Sequence, residues 1–134
     1  MSVSTTLGMS TTGGGTVVTK SVTISDEAML DLEFTVDDGE TDEEHNIDLD
    51  VSAMKMLYIN STQAITMEWN DNAGTQGSIV FVANEPVIWW STQKTKDGST
   101  LNPLGTVDVT TTFWTNASGS TATINFKAIY DASP

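Results

Sequence analysis

Apolar and polar residues alternate with a period of two along most of this chain, a spacing that predicts strands rather than helices. From Thr16, Val18, Lys20, Val22 and Ile24 take one face and Val17, Thr19, Ser21 and Thr23 the other. After a break at Asp26-Glu27, Leu30, Leu32, Phe34 and Val36 alternate with Asp31, Glu33 and Thr35. Asp37-Asp38-Gly39 follows as a turn. Ile47, Leu49 and Val51 alternate with Asp48, Asp50 and Ser52, and Met54, Met56 and Tyr58 continue into another strand. Ile65, Met67 and Trp69 alternate with Thr66, Glu68 and Asn70. Ile79-Val80-Phe81-Val82 is an unbroken apolar run, which predicts a strand covered on both faces. Val87-Ile88-Trp89-Trp90 comes next, and Val107, Val109, Thr111 and Phe113 alternate after a long loop. Ala122, Ile124, Phe126, Ala128 and Tyr130 form the last alternating set. The loop Asn116-Ala117-Ser118-Gly119-Ser120 is of hairpin type, so the last two strands are expected to pair antiparallel. About eight or nine strands separated by turns predict an all-β antiparallel sandwich or barrel.

The first residues break the pattern. Met1 to Gly15 is rich in Ser, Thr and Gly and ends in Gly13-Gly14-Gly15. Residues 1–15 are therefore expected to be a flexible N-terminal arm, and residues 16–134 the sandwich domain. No basic, apolar leader and no apolar span are read in the sequence. Cysteine is absent, which removes disulfides and thiolate metal sites and favours assembly in a reducing cytoplasm.

Charge narrows the partners. Five basic against 18 acidic residues give a formal charge of -13. A chain so acidic repels phosphate backbones and anionic bilayers, so nucleic acid and membrane are not expected as partners. The same charge keeps a free subunit soluble and steers it towards a basic surface. The densest cluster is Asp37 to Glu44, which holds six carboxylates. Its spacing does not match a helix-loop-helix calcium site, and no metal or cofactor is assigned to it. It is expected to be a solvated loop, with Asp42, Glu43 and Glu44 as a candidate electrostatic docking element.

Catalytic chemistry finds little support. His45 is the one histidine and lies in the acidic run, which predicts a surface loop position rather than a triad. Glu33 and Glu68 alternate with apolar residues and are expected to face solvent rather than to act as a hydrolytic pair. No phosphate-cradling or dinucleotide motif occurs, so the chain is not expected to be an enzyme. The acceptor sequences at Asn60 and Asn116 mark exposed turns. Trp89 and Trp90 are adjacent and point to opposite faces of a strand. One is expected in the core and the other in a contact surface; with Trp114 they form the candidate interface set. An open platform for sugar rings is the competing use of these tryptophans.

The stretch from Met54 to Asp131 resembles a known kind of protein. It runs through Met56-Leu57-Tyr58-Ile59, Ile65-Thr66-Met67-Glu68-Trp69-Asn70 and Pro86-Val87-Ile88-Trp89-Trp90. It closes with Phe113-Trp114-Thr115-Asn116-Ala117-Ser118-Gly119 and Ala122-Thr123-Ile124-Asn125-Phe126-Lys127-Ala128. This style is similar to the small auxiliary virion proteins of tailed bacteriophages, the capsid decoration or cement proteins. The resemblance implies a jelly-roll-like sandwich made in the host cytoplasm and carried on the capsid surface. It implies the major capsid protein as partner and self-association as a homotrimer, with a dimer as the alternative. A carbohydrate- or receptor-binding fibre module using exposed Trp is the alternative function. The expected arm would then add contacts by ordering on a neighbouring subunit.

Overall fold

The computed structural model describes residues 3–11, 18–26, 28–92 and 102–131. The chain forms ten strands, most of them extended by β-branched and aromatic residues at alternate positions. They are β1 (Val3–Thr11), β2 (Val18–Asp26), β3 (Ala28–Val36), β4 (Glu43–His45) and β5 (Met54–Ser61). The rest are β6 (Thr66–Trp69), β7 (Ser78–Val80), β8 (Val87–Trp90), β9 (Thr112–Thr115) and β10 (Ala122–Tyr130). Among the described residues the only helical element is a 3-10 turn over Val51–Ala53, capped by the Asp50 carboxylate.

Eight strands form the sandwich. One sheet has the order β3-β10-β5-β8 and the other β4-β9-β6-β7. All pairings are antiparallel. β3 pairs with β10, β4 with β9, β5 with β8 and β6 with β7, so the first strand of the set meets the last and pairing proceeds inwards. This ribbon doubles over, bringing β10 onto β5 and β9 onto β6. The result is the paired Greek-key winding of a jelly roll.

Alternation then fills the core. Phe34, Phe126, Leu57 and Trp89 face inward from the first sheet, and Met67 and Trp114 oppose them from the second. Each fully buried Leu, Ile, Phe or Met contributes about 1.5–3 kcal/mol over leaving it exposed. The Trp114 Nε1 donates to Thr112 Oγ1 at 2.8 Å, and that hydroxyl donates to the His45 carbonyl at 2.8 Å. The buried polar atoms of this part of the core are thereby paired.

Four local expectations change. Ile47, Leu49 and Val51 are buried as the alternation requires, but they form no strand. Leu49 and Val109 exchange a single pair of backbone bonds, and the Asp50 cap then turns the chain. The apolar run is covered on one face only, because each sheet of the sandwich packs a single face on the core: Phe81 is 1% exposed, but Val80 is 75% and Val82 56%. The last two strands do not pair with each other. β9 and β10 lie in different sheets, and residues 116–121 carry the chain across. Alternation fixes a strand's faces but not its neighbour. Finally, β1 occupies most of the stretch expected as an arm and pairs with β2 from Val3↔Asp26 to Thr11↔Val18. Val3, Thr5, Leu7 and Met9 supply its period of two; the three glycines lie outside the described residues.

Candidate functional site

Three features stand apart from the core. The first is the acidic end of the sandwich. Gly39, at φ 87, makes the turn after β3 possible, because L side chains rarely adopt that backbone conformation. The turn lies against the β9–β10 connection. Gly39 N donates to Asn116 O at 2.7 Å and Asn116 N to Glu40 O at 2.9 Å. Gly119 N donates to the Asp38 carboxylate at 2.8 Å, and the Thr121 hydroxyl to Asp37 at 3.3 Å. Beneath them Asn116 is fully buried. Its amide donates to Val36 O at 2.9 Å and Ser120 O at 2.8 Å, and its carbonyl accepts from Ser118 N at 3.0 Å. Asn116 is therefore a brace and not an exposed turn residue, and Asn60 lies within β5.

The docking residues divide. Glu44 is exposed and accepts a long 3.4 Å bond from Thr111. Asp42 is half-buried, its backbone N–H donating to Thr115 Oγ1. Glu43 is half-buried too, with its carboxylate 3.5 Å from His45 Nε2. His45 does not lie in a free loop. It sits on β4 with its ring stacked on Phe34, centroids 4.2 Å apart. Inward-pointing charged residues on a short edge strand discourage pairing with another chain's edge. Asp37, Asp38, Glu40 and Glu44 keep their charges on the surface, and among the described residues no Lys forms an ion pair with them.

The second feature is the outer face of the β3-β10-β5-β8 sheet. Register aligns Met29, Ile129, Met56 and Trp90 in one row across all four strands. Lys127 and Asp31, 3.9 Å apart, lie in the next row with Tyr58 and Ile88. Ile129 and Met56 are buried, at 0% and 2%, although they point away from the core. β2 crosses close to β10 and β5 and covers this middle part. Met29 and Ile88 remain 38% and 39% exposed.

This arrangement sorts the tryptophans. Trp89 faces the core and Trp90 the outer row, as adjacent strand residues must. Trp114 is 0% exposed and Trp69 4%. Trp114 therefore belongs to the core and not to a contact surface. None of Trp69, Trp89 and Trp114 offers a sugar an open ring face; only Trp90 reaches the surface in part.

The third feature is a cavity of about 400 Å³ at the end of the sandwich opposite the acidic loop, lined by Val51, Met54, Trp89, Ser91, Asn102 and Thr106. The Trp89 indole nitrogen is buried without a hydrogen-bond partner. Among the described residues no group of three or more His, Asp or Glu side chains converges on a metal position. No protein-family model matches the chain, and neither a curated protein nor a solved structure is similar enough to count as a match.

Proposed function

We propose that the chain is a virion structural protein of the capsid-decoration kind. It docks its acidic end on a basic patch of a phage major capsid protein and reinforces the lattice. Its copies join as a homotrimer through the outer sheet face that bears Trp90. The observation that carries this reading is the fixed acidic turn. Asp37, Asp38 and Glu40 are held by the β9–β10 connection before any partner arrives. Loop ordering is a cost of association, so a loop already ordered keeps more of its electrostatic attraction as binding free energy. Unpaired carboxylates raise the encounter rate with a basic surface. On a capsid, repeated modest contacts then combine through high effective concentration.

Kinetics on undecorated capsids test this. Glu40→Gln with Glu44→Gln removes two exposed charges whose carboxylates do not brace the turn. The association rate should fall several-fold at low salt and converge with that of the unaltered chain at high salt, where screening acts over about 3–8 Å. An unchanged rate at low salt removes the acidic end from the docking step. Failure of the unaltered chain to bind capsids removes the decoration reading itself.

A further inference from the structure

We propose that the β1–β2 hairpin is an exchange element: in the assembled protein, each copy's hairpin lies on the outer sheet face of the next copy. The inference rests on the self-association in the reading above, but not on the capsid partner.

Three observations lead to it. The sandwich is closed without the hairpin, because β3 already pairs with β10. The strands β1 and β2 form a separate two-stranded sheet. Only one residue separates β2, ending at Asp26, from β3, starting at Ala28. Two-stranded hairpins are marginal alone in water, so this one depends on the face beneath it. Any copy of that face serves equally well, and a short hinge is the setting in which swapping is most readily adopted.

The face is suited to a second chain. Its apolar row runs across the whole sheet, from Met29 through Ile129 and Met56 to Trp90. The hairpin covers the middle and leaves Met29 on one edge strand and Ile88 on the other over a third exposed. Nor does it close down fully: a cavity of about 340 Å³ is lined by Thr5 and Thr6 of β1 and by Met56, Tyr58, Asn125 and Lys127 of the sheet. Electrostatics agree. Residues 1–26 contain one Lys, Lys20, and one Asp, Asp26, so the formal charge of -13 belongs to the rest of the chain. The hairpin is the part that approaches another acidic subunit without net repulsion. Passing each hairpin to the next copy in a ring gives a closed head-to-tail trimer, in which every face is covered once.

The absence of cysteine makes the test clean. Thr6→Cys and Lys127→Cys, which line the same cavity, are made in separate full-length chains, one of them isotope-labelled. The two are unfolded together, refolded as a mixture and treated with a short bismaleimide. Exchange predicts a covalent pair holding one chain of each kind, absent when either variant is treated alone. The double variant should likewise link between chains. If the double variant links only within itself and the mixture gives no mixed pair, exchange is overturned. Native mass of the unaltered chain separates the failures: a trimer with intrachain links sinks exchange alone, and a monomer sinks the self-association as well. Asn125→Cys replaces Lys127→Cys if that variant does not fold.

Discussion

Asn116 is the residue on which the acidic end depends, and replacing it gives a sharp test. Its carboxamide makes three hydrogen bonds, to Val36 O, Ser120 O and Ser118 N. Asn116→Ala removes all three. Val36 is fully buried, so its carbonyl has no water to turn to and loses about 1–3 kcal/mol. Ser118 and Ser120 are exposed and can be solvated, so each loses only the net value of a bond, about 0.5–1.5 kcal/mol. Together these give a destabilisation of about 2–6 kcal/mol, a large part of the roughly 5–15 kcal/mol typical of a domain. Urea unfolding followed by tryptophan fluorescence reads it as a lower midpoint with an unchanged slope.

A second substitution excludes simple loss of volume. Asn116→Asp keeps size and shape, but it replaces the amide donor with a carboxylate oxygen facing two carbonyls. At neutral pH it should therefore be at least as damaging as Asn116→Ala. The reasoning fails if the alanine variant loses under about 1 kcal/mol, or if the aspartate variant is the milder of the two. Either result would mean that the acidic turn is held by something other than this side chain.

Two further outcomes follow from the opposite end of the sandwich. A Cβ at Gly77, where φ is 154, would lie 2.2 Å from Trp69 Cζ2, and the ring, 4% exposed, has no room to yield; Gly77→Ala should lower stability by about 2–5 kcal/mol from overpacking and backbone strain, and an unchanged melting temperature would refute the contact. The Ser52 hydroxyl, with the Ala53 and Ser52 N–H groups, holds the Asp50 carboxyl below its ordinary pKa, and the Ala73 and Thr75 N–H groups do the same for Asp71. Folded values below the unfolded ones mean stability that is complete above about pH 4 and lost as pH falls through the folded values. Asp50→Asn with Asp71→Asn should therefore reduce the fall in urea midpoint between neutral and acid pH, and an equal fall in both proteins would count against these bonds.

What the sequence made legible was the facing of side chains. Leu30, Leu32, Phe34 and Val36, and Ala122 to Ala128, alternate in the folded chain as they do in print, because strand geometry alone fixes that period. The opposite facing of Trp89 and Trp90 came from the same rule. Partners were less legible, since pairing is a property of residues far apart in sequence. β9 and β10 look like a hairpin, but Asn116 draws their connection under the β3 turn and carries the chain to the other sheet. β4 is not legible in Glu43-Glu44-His45, which has no apolar member; the Phe34 ring and the Thr112 hydroxyl give His45 its place from outside. The weak apolar spacing of Val3, Leu7 and Met9 was outweighed by the Ser, Thr and Gly around it. The apolar row of the outer face was invisible too, since it takes one residue from each of four strands.

In the proposed assembly, the placement of that row bears on how charge and self-association would coexist. Met29 and Met56 lie near the starts of β3 and β5, while Ile129 and Trp90 stand at or beside the ends of β10 and β8. The acidic turn follows the other end of β3. From Met29 to Asp37 the chain runs eight positions, a span of about 26 Å at roughly 3.3 Å per strand residue. That is about three times the screening length of roughly 8 Å at physiological ionic strength. Subunits that meet over the apolar rows therefore need not bring their acidic ends within range of each other. The six carboxylates of the acidic turn then need neither titration nor neutralisation for subunits to associate over the row. In that arrangement screening of the acidic turn should change the encounter with a basic partner more than it changes subunit association. The two steps separate because the jelly roll sets the acidic turn, with six of the 18 carboxylates, and the apolar row at opposite ends of one sheet.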